Sequence, residues 1–227
     1  MFQVLFEVHP KPQQWETYLA YARLLKPELE SIDGFIDNVR YRSLTREGWI
    51  LSLSSWRDEK ALVRWRTQAR HHDVQDKGRR TVFCDYHLRV GELMRDTRPA
   101  GASPLPEQRL DETEAGEAKV VTLIEAQRGE EHTHADTAQV ASGLGLAPQM
   151  PGLVAWDLFE AVLEPGDYVL LLSWSEQSAA ASFERTFAPP SDTRLRRVRV
   201  IRDYGMFDRR EAPQYFPDTA PGVTLGE

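Results

Sequence analysis

The chain has a single cysteine, Cys84, among its 227 residues. One thiol cannot close an internal disulfide and supplies no Cys-based metal pattern, so a disulfide scaffold and a zinc ribbon are both excluded and a reducing compartment is expected. No apolar run approaches the roughly 20 residues of a membrane-spanning helix. The opening residues, Met1-Phe2-Gln3-Val4-Leu5-Phe6-Glu7-Val8, lack the basic flank of a signal peptide. A soluble, cytoplasmic protein with no membrane partner is the expectation. Positive charge is also in deficit, with 28 Lys and Arg against 35 Asp and Glu and a net charge of −7. That balance argues against a phosphate-backbone binder, so no nucleic-acid partner is expected. The basic run Arg194, Arg196, Arg197, Arg199 and Arg202 reads instead as a solvated strand face with its preceding turn. Nothing forms a phosphate loop, a nucleophile elbow or a dinucleotide fingerprint.

Aromatics are plentiful: six Trp, seven Tyr and nine Phe, clustered in runs that rule out disorder over the whole length. The length admits one large domain or two small ones. A repeat decides for two. At a fixed offset of 118 residues Leu5 and Glu7 recur as Leu123 and Glu125, Gly34 as Gly152, Gly48 as Gly166, and Ser55-Trp56 as Ser173-Trp174. Ala61 recurs as Ala179, Trp65 as Phe183 and Asp85-Tyr86 as Asp203-Tyr204. No gap is needed in that register. The sequence divides into copy one (1–95), a Pro-bearing linker (96–118, with Pro99, Pro104 and Pro106), copy two (119–207) and a C-terminal tail (208–227).

Within copy one, apolar periodicity predicts strands over 2–9, 36–43, 49–56 and 81–90 and helices over 14–29 and 58–69, in the order βαββαβ. That order builds the ferredoxin-like split βαβ unit, with both helices on one face of a four-stranded antiparallel sheet. The opposite face would leave several hundred Å² of apolar surface wet. A second copy covers it, so the two sheets are expected to close into a barrel-like pair, the equivalent of a homodimer of single-domain relatives.

Ile32-Asp33-Gly34-Phe35, the stretch from Ser54 to Arg66 (SSWRDEKALVRWR), and His71, Gln75 and Gly78-Arg79 together resemble the antibiotic biosynthesis monooxygenase family of the dimeric α+β barrel superfamily. The resemblance covers nearly all of copy one and, more weakly, copy two. It implies an α+β fold: tandem ferredoxin-like βαββαβ domains forming an intramolecular dimeric α+β barrel. The family includes cofactor-independent oxygenases of aromatic polyketides, heme-degrading oxygenases and members of unknown role. Its heme-degrading members place the iron ligand on a second-helix histidine, with an asparagine on strand one and a tryptophan in the pocket. Here strand one has no asparagine, and Asn38 falls on strand two.

His71 matches the family pattern, and a neutral imidazole at the end of the second helix could take a proton from a phenol, bind a metal, or simply cap the helix. His71 is the candidate catalytic residue and His72, beside it, a candidate for substrate binding. Trp56, Trp65 and Tyr86 could stack a planar ligand or belong to the core. Asn38, Arg40 and Arg79 are polar handles for substrate, although the recurrence of Arg79 as Arg197 favours a structural role for it. His132 and His134, beside Glu130 and Glu131, tempt a metal reading, but side chains two apart on a helix diverge, and no metal site is assigned. Three functions follow. One is a cofactor-independent monooxygenase for an aromatic or polyphenolic small molecule, in which His71 deprotonates a phenol and the carbanion reacts with oxygen. The second is a heme-binding or heme-degrading protein with His71 as axial ligand. The third is a non-catalytic binding or assembly protein on the same fold. Pairing of two such chains into a homodimer is compatible with each.

Overall fold

A computed structural model describes residues 1–98, 107–127, 136–190 and 192–213; the His132 and His134 pair lies outside the described residues. The first half runs β1 (Phe2–Pro10), α1 (Trp15–Glu30), β2 (Phe35–Ser43), β3 (Ile50–Trp56), α2 (Glu59–Arg66), α3 (Ala69–Lys77) and β4 (Phe83–Asp96). The second runs β5 (Val120–Gln127), α4 (Thr137–Gly143), β6 (Leu153–Ala161), β7 (Asp167–Trp174), α5 (Gln177–Thr186) and β8 (Arg194–Gly205). All eight strands join one closed antiparallel barrel in the order β1-β3-β2-β6-β7-β5-β8-β4. Closure leaves no sheet edge, and it is achieved by two cross-half ladders, β2 with β6 and β4 with β8.

Alternation along the strands sorts the side chains. Leu5, Leu51, Leu53, Leu93, Val121, Leu123, Leu171 and Val198 fill the barrel. Phe2, Val4 and Trp56 point outward and pack under Leu29, Ala61 and Leu62 of the first-half helices. The polar residues inside are paired. Arg89 donates to Glu7 at 2.5 Å and to Ser173 at 2.8 Å. Arg196 donates to Glu125 at 2.5 Å and to Ser55 at 3.4 Å. Each buried guanidinium therefore ties the carboxylate of its own half to a serine of the other.

The repeat holds for three strands and fails in the fourth. Leu5 faces Leu53 as Leu123 faces Leu171, and Val39 faces Leu53 as Asp157 faces Leu171, all at the offset of 118. Leu5 also faces Arg89, whereas its counterpart Leu123 faces Arg196. The offset there is 196 − 89 = 107, eleven residues short, so Asp203-Tyr204 is not the structural twin of Asp85-Tyr86. The missing length lies between α5 and β8, where the described residues contain no counterpart of α3. The expected second helix is itself two helices broken at Thr67-Gln68. The basic run is not a solvated face either: Arg196 is 3% exposed inside the barrel, and Arg194, Arg197 and Arg199 pair with Asp96, Glu184 and Glu92. Residues 107–118 lie against the barrel, with Gln108 and Arg109 amides on the Glu92 carboxylate and the Thr113 amide on the Val200 carbonyl.

Candidate active site

The α2–α3 break builds the site. Asp58 caps α2 by accepting from the Ala61 amide at 2.8 Å, and Gln68 caps α3 by accepting from the His71 amide at 2.8 Å. The last carbonyls of α2 are left without their helical partners. The His71 ring takes one of them: Nδ1 lies 3.0 Å from the Trp65 carbonyl oxygen, and the imidazole stacks on the indole of Trp65 with centroids 4.1 Å apart. A carbonyl only accepts, so Nδ1 carries the proton and Nε2 presents a lone pair. Gln75 Nε2 approaches that lone pair at 3.5 Å. Burial pulls the His71 pKa down to about 4, against the smaller opposing effect of the Trp65 carbonyl. His71 therefore stays neutral at physiological pH.

A cavity of about 220 Å³ opens between α1, α2, α3 and the outer face of the first-half strands. It brings together six of the seven expected residues: Asn38, Arg40, Trp56, Trp65, His71 and Tyr86. His72 faces outward on α3 and does not line the cavity. Asn38 is held by Ser52 at 2.8 Å, and the Trp56 indole nitrogen donates to Ser54 at 2.9 Å. Burial raises the Tyr18 phenol above its ordinary range, and the neighbouring Arg40 guanidinium works against it. Among the described residues the buried lining atoms Arg40 Nε and Gln75 Oε1 have no hydrogen-bond partner.

Sequence reading missed the far wall. Arg202 and Tyr204 on β8, followed by Arg209 and Pro213, bring the end of the second half into the first-half cavity. Arg79 lines it too, from a π-helical turn over Gly78–Val82 that extends α3. The false Arg79–Arg197 correspondence favoured a structural role for this residue over its role as a polar handle. Burial pushes the Tyr204 phenol up to about 12.

The cavity does not suit heme. It is smaller than the roughly 300–1,000 Å³ of pockets for drug-sized ligands, and a heme macrocycle is larger than those.

Fold and site define an α+β protein with a mainly apolar cavity between the first-half helices and strands. Residues 1–77 match the model of the antibiotic biosynthesis monooxygenase family. The jasmonate monooxygenase ABM of Pyricularia oryzae is 50% identical over 224 residues, spanning 96% of this chain and 99% of that protein. The chain belongs to the antibiotic biosynthesis monooxygenase family. Among solved structures, an anthrone oxidase-like protein is 12% identical with a TM-score of 0.34, covering 94% of this chain and 96% of that one. A conserved protein from Methanosarcina mazei Go1 is 17% identical with a TM-score of 0.37, covering 39% of this chain and 88% of that one. No helix among the described residues is long and apolar enough to cross a membrane.

Proposed function

We propose that this protein is a monooxygenase for a small, mainly apolar substrate carrying an ionisable oxygen, and that it works without a resident cofactor. The observation that carries this reading is the first-half cavity, apolar over most of its wall yet furnished with Arg40, Arg79, Arg209 and the Tyr86 phenol. Such a site takes an apolar body and one anionic or anion-forming group. A phenolic substrate with an activated methylene meets this description. So does jasmonate, the substrate named for the Pyricularia relative, a carboxylate whose ring ketone has removable neighbouring protons.

For an activated methylene the chemistry closes without an external reductant. Deprotonation gives a carbanion that donates electrons to dioxygen, one oxygen atom ends on carbon as a ketone, and the other leaves as water with the two substrate hydrogens. Trp56 and Trp65 wall the cavity against water. The His71 Nε2 lone pair accepts a hydrogen bond from the substrate. With a conjugate acid near 4, His71 orients a proton better than it keeps one, so stabilisation of the substrate anion falls to the arginines and the phenol. We further read the halves as two ferredoxin-like βαββαβ domains, 1–95 and 119–207, fused so that one chain does the work of a dimer, with the histidine site in the first.

The test is incubation of purified, chelator-treated protein with isotopically labelled dioxygen and either jasmonate or a panel of polyphenols. One labelled oxygen atom per product is expected. Absence of oxygen uptake with every substrate in the absence of added cofactor overturns the assignment.

A further inference from the structure

Tyr86 sits at the base of β4, its ring against Phe6 and Phe83. Arg79 Nη1 donates to its phenolic oxygen at 2.6 Å, and Arg209 Nη1 donates to the same oxygen at 2.6 Å. Arg79 comes from the turn after α3, and Arg209 from the segment following β8. That segment is pinned beside the tyrosine: the Met206 amide donates to the Tyr86 carbonyl at 3.0 Å, and the Gly205 amide donates to the Asp208 carbonyl at 2.7 Å. A phenol oxygen has two lone pairs and one proton. Both lone pairs are occupied by guanidinium donors, so the proton is directed elsewhere, and among the described residues no acceptor receives it. Tyr86 lines the cavity.

We infer that the Tyr86 hydroxyl, backed by Arg79 and Arg209, is a fixed oxyanion-binding post that takes the phenolate or enolate oxygen of the substrate. The inference deepens the functional reading above and rests on it for the substrate's role. The two cations polarise the phenol so that its proton points at negative charge developing in the cavity, and they need not move when that charge appears. This supplies what a neutral His71 does not: a place for the charge of the substrate anion. It also makes the site composite, because one of the two guanidiniums reaches it from the segment that follows the second half.

The experiment uses the full chain and 4-nitrophenol, whose ionised form is yellow, as a probe that requires no oxygenation. An oxyanion post lowers the apparent pKa of bound 4-nitrophenol by about 1 unit or more. Tyr86→Phe, which removes only the hydroxyl, is expected to abolish most of that shift, and Arg209→Met to reduce it with the barrel intact by circular dichroism. With an oxygenation substrate, Tyr86→Phe is expected to lower kcat about 10²- to 10³-fold with a smaller effect on KM. Binding of 4-nitrophenol with an unshifted pKa, an equal shift in Tyr86→Phe, or no binding at millimolar probe overturns the post. A shifted phenolate in a protein that consumes no oxygen supports the post and overturns the oxygenase reading instead.

Discussion

At the residue scale the decisive features are protonation states set by burial. His71 does two things with one ring: Nδ1 closes the end of α2, and Nε2 faces the cavity residue Gln75. The capping use was readable from position alone, since a histidine near a helix end is common for that reason. The site use was readable only through the family resemblance. Its depressed pKa has a measurable sign. The folded protein resists protonating His71 until about pH 4, whereas the unfolded chain takes the proton near 6.5. Between those values the unfolded state binds more protons, so this residue's contribution is full above pH 6.5 and is lost as pH falls toward 4. A shift of two and a half units at about 1.4 kcal/mol each corresponds to about 3 kcal/mol. Urea midpoints measured from pH 7 to pH 4 should fall less steeply in His71→Asn than in the unmodified protein. Equal slopes would mean that His71 titrates normally. The imidazole resonances of His71 should likewise stay in their neutral form down to about pH 5.

At the element scale, what could be read from sequence was the part fixed by steric necessity. Gly34 and Gly152 both adopt positive φ, at 94° and 79°, and a Cβ on either would lie within 2.6 Å of the Cβ of Ala61 or Ala179. Two such glycines at one offset must mark one backbone in two places. The fourth strand lacked any such marker. The Asp-Tyr pair repeated at 118 by coincidence, and eleven is an odd number, so the gapless register placed every β8 residue on the wrong face. Arg196 was therefore expected in solvent and is found in the barrel, while Tyr204 appears in the same cavity as Tyr86 instead of at a matching site in the second half. The two glycines allow a paired prediction. Gly34→Ala and Gly152→Ala should each cost about 2 kcal/mol in urea unfolding, from the left-handed backbone and the close contact. Only Gly34→Ala should also weaken 4-nitrophenol binding, because Ala61 belongs to α2, whose Leu62 and Trp65 wall the cavity. Equal binding loss in both variants would show that the cavity is not confined to the first half.

At the scale of the whole molecule, the barrel closes across two ladders in which some positions face their own counterparts. In β2–β6, Arg42 pairs with Glu160, and 160 is 42 plus 118. In β4–β8, Glu92 pairs with Arg199, and 199 is 92 plus 107. Two identical copies would set like residues against each other at both places. This chain sets opposite charges there: Arg42 Nε donates to Glu160 at 3.1 Å, and Arg199 Nη2 lies 3.1 Å from Glu92. The Arg42 pair is largely solvated on its arginine side and is worth little. The Glu92 pair is buried, with Glu92 fully inaccessible and also receiving the Gln108 and Arg109 amides. Complementary charge at a self-facing position is open only to fused halves that have diverged, and it favours pairing of half one with half two over pairing of like halves. Arg199→Glu restores the like-charge arrangement of an unfused pair and should cost about 3–5 kcal/mol, because it leaves two buried carboxylates face to face. Adding Glu92→Gln, which removes one of the two charges and whose single amide oxygen can still accept from one of the Gln108 and Arg109 amides, should recover part of that loss in urea unfolding. If the double variant is no more stable than Arg199→Glu alone, the charge pair does not hold this ladder closed, and the burden passes to the apolar contacts of Leu93, Val198 and Val200 inside the barrel.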